Sequence, residues 1–300
     1  MSSNEKIDLL RQQYQAALLA NSSAEATGVV DQAVYLGIPT LEIYLQIVIP
    51  AQVALGEAWT RGDLTVSEEH IATQITIHQL ARLRDKIQPK PPIGVRAVVG
   101  TLEGDLHQVG AQVVSDFLYE DGWKVDYLGV HTPVDEIVRY VKQKKARLLA
   151  ISISNESFLP ALKELSRKIS EIKDARPLLV VGGALFRFSH FKEKELGVDL
   201  ISTHPKEMVS SVRELAGIQG SPASVDQMLL MLGSQVLYFR KLRKFSQVQL
   251  AESAGLDRAY ISSFENGKKN ISVVTLQRIC EALSIQVSDL FSLNNSRGSL

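Results

Sequence analysis

The sequence has very little cysteine, no long apolar run and no excess of charge of either sign. Its single cysteine, Cys280, excludes a disulfide framework and a metal site built on several thiolates. No apolar run approaches the roughly 20 residues of a transmembrane helix, and the N-terminus (MSSNEKIDLL) lacks the basic and apolar regions of a signal peptide. The 33 basic residues balance 33 acidic ones, which excludes a uniformly basic nucleic-acid binder but not a local basic module. We therefore expect a cytoplasmic protein without membrane association.

Residues 1–88 predict helices only. Apolar residues recur at helical intervals in EKIDLLRQQYQAALLA, and again after the serine pair 22–23, which can cap a second helix. A third helix is expected over about 40–61 with a kink at Pro50, and a fourth over about 67–86. Four helices joined by short loops are typical of a small bundle.

The pattern changes after IQPKPPIG (87–94), a stiff proline-rich linker. Over residues 93–216, short apolar runs alternate with segments of helical spacing. The runs that predict strands are 94–101, 124–128, 147–153, 178–182 and 198–201. This alternation predicts a doubly wound, parallel, Rossmann-like sheet.

Residues 225–293 follow a second linker, AGIQGSPAS (216–224), and return to short helical segments. Between residues 235 and 292, eight basic residues stand against five acidic ones, a modest local excess that fits a polyanionic partner. The chain therefore predicts a multidomain α and α/β protein with a four-helix bundle cap, a Rossmann-like domain and an all-α module.

The stretch GDLHQVG (104–110) is the first chemical motif. It lies on the loop between the first predicted strand and the following helix, where α/β sheets form ligand sites. His107 can present one ring nitrogen to a metal while Asp105 accepts a hydrogen bond from the other and fixes the tautomer. Gly110 leaves room for a bulky group near the helix. From these three residues alone, an exposed loop histidine beside a helix-capping aspartate is the simpler interpretation.

The motif does not stand alone, because it resembles the Asp-x-His-x-x-Gly signature of cobalamin-binding Rossmann-like domains. Two further marks of that family follow in order: the segment ISIS, with Ser152 and Ser154, and the pair Gly182-Gly183 after the fourth strand. The helical segment before the sheet matches the cap of corrinoid proteins, so the resemblance spans about residues 1–215.

The resemblance implies cobalamin as cofactor and His107 as the lower cobalt ligand, oriented by Asp105. It implies that the displaced nucleotide tail enters the sheet through a channel. The remaining positions that it assigns to cofactor binding are Gly110, Ser152, Ser154, Gly182 and Gly183. His131, on the loop after the second strand, is a further candidate to approach the corrin edge.

A second motif, AWTRGDLTVSEEH, places Trp59 at the end of one helix and Glu69 and His70 at the start of the next, with Ser67 as a possible cap. A core tryptophan beside a solvated helix start is the alternative, since acids suit the helix dipole there. The Trp-x9-Glu-His spacing resembles the CarH/LitR-type photoreceptors, which sense light with adenosylcobalamin. The resemblance implies that Trp59 packs over the adenosyl group, Glu69 helps to hold it, and His70 takes the vacated upper position after photolysis.

The C-terminal module resembles a lambda-repressor-type helix-turn-helix domain over nearly its whole length. Ser246 is expected to cap a helix beginning at Gln247, and the recognition helix is expected over about 257–266. We expect base or adjacent backbone contacts from Arg258, Tyr260 and Ser262, and phosphate contacts from Gln247, Asn266, Lys268 and Lys269. A helical protein-interaction module is the alternative.

Photoreceptors of the CarH type carry a different, MerR-like DNA-binding domain at the N-terminus, so the direction of any light response does not transfer to this chain. We expect a non-enzymatic, cobalamin-dependent and light-sensing transcription regulator. Adenosylcobalamin would lie between the cap and the Rossmann-like domain, and photolysis would change ligation, oligomeric state and DNA binding. Its partners would be a double-stranded DNA operator and further copies of the chain, in a dimer or tetramer. The alternatives are a light-independent cobalamin-responsive regulator and a corrinoid methyl carrier.

Overall fold

A computed structural model describes residues 3–187, 189–218 and 225–291. Its contacts divide the chain into two compact units, Met1–Gln219 and Gly220–Leu300. The end of the predicted third domain, residues 292–293, lies outside the described residues, as does most of the predicted linker 216–224. No helix in the described part of the chain is long and apolar enough to cross a membrane.

The first unit begins with the predicted helical cap. Its helices are α1 (Ser3–Leu19), α2 (Ser23–Tyr35), α3 (Thr40–Ile43), α4 (Ile49–Thr60) and α5 (Val66–Arg84). A π-helical turn, Tyr44–Val48, joins α3 to α4, so the predicted third helix runs almost unbroken. Pro50 lies in the first turn of α4, where a missing backbone N–H is tolerated.

The caps of α2 and α5 differ in how well the sequence predicts them. The Ser22 hydroxyl caps α2 by accepting from the Glu25 amide (3.3 Å). The expectation that Ser67 caps the fourth helix is wrong, because Thr65 caps α5 and Ser67 lies inside its first turn. Thr65 and Glu68 form a reciprocal capping box, which satisfies two backbone N–H groups at once.

The rest of the first unit is a five-stranded parallel sheet in the order β2-β1-β3-β4-β5, as the alternating pattern predicts. The strands are β1 (Arg96–Thr101), β2 (Lys124–Tyr127), β3 (Leu148–Ser152), β4 (Leu178–Gly182) and β5 (Leu200–Ile201). The strand order reverses between β1 and β3, and ligands of such sheets bind where the carboxyl ends of these two strands diverge.

Helices cover both faces of the sheet. They are α6 (Gln108–Glu120), α7 (Val134–Lys144), α8 (Leu159–Ser170), α9 (Glu193–Leu196) and α10 (Pro205–Leu215). One buried apolar layer lies under α7 and α8, and another lies under α6 and α10. On its other side α6 contributes Val113 and Phe117 to the core of the cap. The helix that follows the His107 loop therefore packs against both the sheet and the cap.

The second unit is helical. Its helices are α11 (Val225–Leu242), α12 (Gln247–Ala254), α13 (Arg258–Glu265) and α14 (Val273–Leu283), followed by a 3₁₀ turn at Val287–Phe291. It has a separate apolar core to which all four helices contribute, including Val236, Leu250, Phe264 and Ile279. The single cysteine, Cys280, is buried in this core.

Candidate functional site

His107 and Asp105 form a hydrogen-bonded pair on the loop between β1 and α6. Asp105 is buried, and its Oδ1 lies 2.9 Å from His107 Nδ1 and accepts from the His107 amide (3.1 Å). Its other oxygen, Oδ2, accepts from the Ser154 amide (2.9 Å) just beyond β3. The histidine side chain is 70% exposed. Asp105 therefore fixes the ring against the sheet while the opposite edge of the ring faces out.

The charges of this pair fix the tautomer of His107. Burial by itself raises the pKa of Asp105, but hydrogen bonds from His107 and Ser154 outweigh burial and hold that pKa below its ordinary value. An ionised carboxylate can only accept, so Nδ1 of His107 carries the proton. The same hydrogen bond raises the pKa of His107 against the effect of burial. In the neutral ring, Nε2 keeps its lone pair and is free to bind a metal.

A second set of hydrogen bonds, which the sequence did not indicate, shapes the loop itself. Thr101 donates to the Asp105 carbonyl (2.6 Å) and its hydroxyl accepts from the His131 amide (3.2 Å). His131 Nδ1 accepts from the Gly104 amide (2.8 Å). His131 has a positive φ of 58°, uncommon for a residue with a side chain. The structure thus places His131 as a support of the loop that carries His107.

The predicted serines and glycines gather beside this loop. A Cβ on Gly110 would lie 3.2 Å from Ser152 Oγ, and one on Gly183 would lie 2.8 Å from the same atom and 2.5 Å from the Ile153 carbonyl. A Cβ on Gly182 would lie 2.4 Å from a carbonyl of the chain after β5. Gly182 and Gly183 therefore have a packing role, since the backbones approach too closely for any side chain.

The upper-face residues lie at one end of the cap. Trp59, in the last turn of α4, is 47% exposed, and His70, directly after the first turn of α5, has a side chain that is 72% exposed. Glu69 Oε1 accepts from Thr73 (2.7 Å), and its Oε2 lies 4.0 Å from His70 Nε2. His70 also lines a shallow groove with Ser23, Ile71, Gln74, Ile75 and His78.

The charge of Glu69, in the cap, acts on His107, in the loop between β1 and α6. Its negative charge is one of the causes that raise the pKa of His107, so the carboxylate of the cap lies within electrostatic reach of the imidazole. Large apolar side chains are exposed in the same segments: Leu106 next to His107 (66% exposed), Trp59, Val66 and Ile71. A flat apolar ligand would cover side chains of this kind.

A buried polar cluster fixes the cap to α6, and the sequence alone did not reveal it. Tyr44 donates to Asp116 Oδ2 (2.9 Å), and Arg84 forms an ion pair with Asp116 Oδ1. The Asp116 side chain is fully buried. Burial raises the pKa of Asp116 to about 6, although Arg84 and Tyr44 act in the opposite direction. These bonds hold the cap in place above the His107 loop.

The second unit presents the predicted recognition helix. Ser246 caps α12 with a reciprocal capping box, and Asp257 caps α13 by accepting from the Tyr260 amide (2.6 Å). Arg258 is exposed in the first turn of α13. Of the other predicted contact residues, Asn266, Lys268 and Lys269 are exposed, and Tyr260 and Ser262 are partly buried. The Tyr260 hydroxyl donates to the Asn270 carbonyl (3.2 Å), which orders the loop after α13.

Gln247 has a partner within the unit. Its Nε2 donates to Glu265 Oε2 (2.8 Å), and Glu265 forms a buried bidentate pair with Arg240, through Nε (2.5 Å) and Nη2 (2.9 Å). A buried carboxylate requires such partners, because an unpaired buried charge is strongly destabilising. The cluster ties α11, α12 and α13 together, and a sequence pattern does not reveal it since Arg240 and Glu265 are 25 positions apart.

The fold and the Asp105–His107 pair define an α/β ligand-binding protein with a helical cap and one exposed imidazole nitrogen, joined to a helix-turn-helix unit. Comparison with known families identifies the ligand class. Residues 10–84 and 95–211 match two B12 binding domain families, and residues 236–290 match the helix-turn-helix family. The first unit therefore contains matches to two B12-binding domains, and the second unit contains a match to a helix-turn-helix domain.

The individual relatives fall into two groups, which match either about 190 residues of the chain or fewer than 60. The chain is 24% identical over 194 residues to trimethylamine corrinoid protein 1 of Methanosarcina acetivorans, covering 63% of this chain and 88% of that protein. It is 28% identical over 188 residues to the HTH-type transcriptional repressor CarA of Myxococcus xanthus, covering 61% of this chain but only 60% of the repressor. It is 49% identical over 57 residues to the control protein C.MunI of Mycoplasma sp, covering 18% of this chain and 77% of that protein.

A solved structure shows the same fold as the first unit. The monomethylamine corrinoid protein of Methanosarcina barkeri superposes with a TM-score of 0.62 at 18% identity, covering 69% of this chain and 99% of that one. The donor set of the present structure also fits a corrinoid. A corrin ring supplies the equatorial nitrogens of its cobalt, so that one open imidazole nitrogen, as at His107, is the ligand required from the protein at one face.

Proposed function

We propose that this protein is a cobalamin-dependent transcription regulator whose signal is light. The observation that carries the proposal is the Asp105–His107 pair, buried at one end and open at the other, in a chain that also presents an exposed recognition helix. The corrinoid relatives and the repressor CarA match about 190 residues each, far more than the second unit contains, so they support the cobalamin-binding half. The helix-turn-helix family match and the 57-residue match to the control protein C.MunI support the DNA-binding half. The chain would act as a ligand-controlled DNA binder with no catalytic role of its own.

His107 is the proposed lower ligand. Asp105 holds the proton at Nδ1, which directs the Nε2 lone pair outward toward the metal. Ser154 fixes Asp105 from the β3 side, and His131 supports the loop through Gly104. Gly110, Ser152, Gly182 and Gly183 would lie along the nucleotide tail. Bound adenosylcobalamin would supply a cobalt–carbon bond that visible light breaks.

The end of the cap is the proposed cover of the upper face. Trp59 presents an exposed indole that would pack over the adenosyl group, and Glu69 presents a carboxylate within electrostatic reach of His107. His70 is exposed and has no hydrogen-bond partner within 3.5 Å in the described part of the chain, so its imidazole is available as a ligand. We assign His70 as the candidate ligand after illumination.

The second unit is the proposed DNA reader. Arg258 and the neighbouring Tyr260 and Ser262 would meet bases or adjacent backbone, and Asn266, Lys268 and Lys269 would meet phosphates. The Gln247 amide already donates one N–H to Glu265. It would reach a phosphate either with its second N–H, while keeping that bond, or by exchanging the bond for the phosphate. Repressor-type modules bind two related half-sites as dimers, so the chain would act as a dimer or tetramer on a duplex operator.

The proposal is tested by reconstituting the protein with adenosylcobalamin in darkness. Its absorbance spectrum is then recorded before and after exposure to green light. We expect a stable change to a bis-histidine type of spectrum that His70→Ala abolishes. His78→Ala is the matched control, because His78 is an exposed histidine on the same helix and lines the same groove. A chain that retains no cobalamin, or whose photoproduct is the same in His70→Ala, would contradict the assignment.

A light-independent cobalamin sensor and a corrinoid methyl carrier are the rival functions. The corrinoid relatives favour the carrier for the first unit alone, but they do not account for the helix-turn-helix unit. DNA affinity separates the three functions. A photoreceptor changes its affinity on illumination, a cobalamin sensor changes it equally with methyl-, hydroxo- and adenosylcobalamin, and a carrier has no cobalamin-dependent affinity.

A further inference from the structure

A basic groove of about 850 Å³ lies at the edge of the sheet opposite the His107 loop. His107 and Ser154 follow the carboxyl ends of β1 and β3, whereas the groove lies at the amino ends of β1, β2 and β3. Six of its lining residues are basic and none is acidic: Lys90, Arg96, Lys124, Lys144, Lys145 and Arg147. Because the two edges of a parallel sheet are separate, the groove is free when the cofactor site is filled.

Four of the six cations form no ion pair with any acid among the described residues. Lys90 pairs with Glu120 and Asp121, and Arg96 pairs with Asp126. The other four basic residues of the groove are exposed and form no ion pair in the described part of the chain: Lys124, Lys144, Lys145 and Arg147. Of these, Lys144 lies over the Tyr140 ring, 5.4 Å from its centroid, which leaves its charge in place.

The backbone brings these cations together. The amide of Arg147 donates to the Arg96 carbonyl (2.8 Å), and the amide of Lys124 donates to the Val95 carbonyl (3.0 Å). A basic residue therefore lies at the start of β1 and β2 and directly before β3, three adjacent strands. The dipole of α7 favours a cation in its last turn, which accounts for Lys144. The dipole of α7 does not account for Lys124, which begins β2, or for Arg147, which directly precedes β3.

The proline-rich segment forms a fixed wall of the groove. The Lys90 amide donates to the Glu120 carbonyl (2.7 Å), and the Ile93 amide donates to the Gly122 carbonyl (3.0 Å). A Cβ at Gly122 would lie 2.4 Å from the Pro91 carbonyl, which shows how closely the two segments approach. The groove is therefore preformed, with Tyr119 and Trp123 beside the prolines.

The chain leaves the first unit beside this groove. Arg147 Nη2 donates to the carbonyl of Ala216 (3.2 Å), the residue that ends α10. The helix-turn-helix unit follows along the chain after residues 219–224. A duplex held by that unit is consequently tethered, through the chain, to the edge of the sheet that carries the four unpaired cations.

We propose that this groove binds the phosphate backbone of duplex DNA flanking the site read by the helix-turn-helix unit. The inference rests on the proposed function, since it requires a DNA-binding chain. Lys124, Lys144, Lys145 and Arg147 would contact phosphates and carry no sequence information. The groove would lengthen the footprint of the protein and add to its affinity wherever flanking DNA is present.

The test compares two duplexes in the intact protein. A duplex of about 60 base pairs is selected from a random pool, and a core of about 20 base pairs is cut from it. In the triple variant Lys124→Gln, Lys144→Gln, Lys145→Gln, we expect unchanged affinity for the core and weaker binding of the long duplex. Each lost phosphate contact lowers the slope of log affinity against log salt by about 0.9, so three contacts lower it by about 2.7.

The matched control is Lys163→Gln, Lys173→Gln, Lys194→Gln, which removes three exposed lysines elsewhere on the same unit. When salt is raised from about 50 to about 200 mM, affinity for the long duplex should fall in all three proteins. The fall should be roughly 40-fold larger for wild type and for the control than for the triple variant at Lys124, Lys144 and Lys145. Equal salt slopes in all three proteins overturn the groove assignment alone. Binding of an oligoglutamate peptide to the groove, with unchanged duplex affinity, also overturns it. No duplex bound by wild type overturns both the groove and the proposed function.

Discussion

Asp105 is the residue on which the orientation of His107 depends. It is buried, ionised and bonded to both His107 and Ser154, so it holds one ring nitrogen protonated and the other open. Asp105→Asn keeps the size of the side chain but removes the charge. Because loss of such a supporting partner typically weakens metal binding 10- to 100-fold, we expect about that loss in cobalamin affinity and a smaller histidine-ligated fraction in the absorbance spectrum. Glu103→Gln, an exposed acid on the same loop, is the control and should change neither quantity.

Asp116 gives the first unit a distinctive pH dependence. Burial raises its pKa from the ordinary 3.8 to about 6, so the folded protein keeps a proton that the unfolded chain has already lost. Stability therefore falls as pH rises from about 4 to about 6, and two pKa units correspond to about 3 kcal/mol. We expect the free energy of unfolding of wild type, relative to Asp116→Asn, to decrease by about that amount over this range. Urea unfolding followed by tryptophan fluorescence measures it, since Trp59 and Trp123 both lie in the first unit. A constant difference would contradict the prediction.

The sequence predicts the candidate site only where its residues are close together along the chain. Asp105 and His107 are two positions apart, so their pairing can be predicted from a loop motif. Tyr44 and Asp116 are 72 positions apart, and His131 and Gly104 are 27 apart, so no local pattern indicates that they meet. Gly182 and Gly183 show the opposite case, because they are recognised by resemblance while their close backbone contacts are visible only in the structure.

At the scale of the element, the start of α5 carries Glu69 in its first turn and His70 directly after it, and this start depends on the helix cap. Thr65 and Glu68 form the capping box, whereas Ser67 lies within the helix. Thr65→Ala should destabilise the helix by about 1 kcal/mol, because N-cap substitutions of this type cost that much. We expect faster hydrogen exchange of the amides of the first turn and a less complete light-induced spectral change. Ser67→Ala is the control, and equal effects in both variants would show that the cap does not order this turn.

The strands were predicted better than the ends of the helices. Each strand of the sheet lies within its predicted run. The central strands β1, β3 and β4 are mostly buried, and parallel strands of this kind form continuous apolar segments. The segment before Pro50 was predicted as a plain kinked helix, but it contains the π turn Tyr44–Val48. Tyr44 and Ile47 of that turn are fully buried, so tertiary packing, which the helical period does not contain, determines its form.

At the scale of the whole molecule, two units with separate cores must exchange one signal. The apolar cluster of the second unit consists of residues of that unit, and the clusters of the first unit consist of residues of the first unit. The chain passes from the first unit to the second between Gln219 and Gly220. Coupling between two sites is a free energy, typically 1–3 kcal/mol, or 5- to 150-fold in affinity. A signal of that size has to pass through the connection or through contacts that it makes possible.

Cutting the connection tests this dependence. A protease site placed within residues 219–224 leaves both units intact, and cleavage separates them. We expect the uncut protein to change its DNA affinity between the dark and illuminated adenosylcobalamin states by a factor within that 5- to 150-fold range. After cleavage, the released second unit should bind DNA with one affinity in both states, because the bound cofactor remains with the other fragment. Fluorescence anisotropy of a labelled duplex measures both affinities, and an uncut protein carrying the same insertion is the control. If the cleaved mixture kept the full light response, the covalent connection would not be required for coupling, which would contradict the prediction.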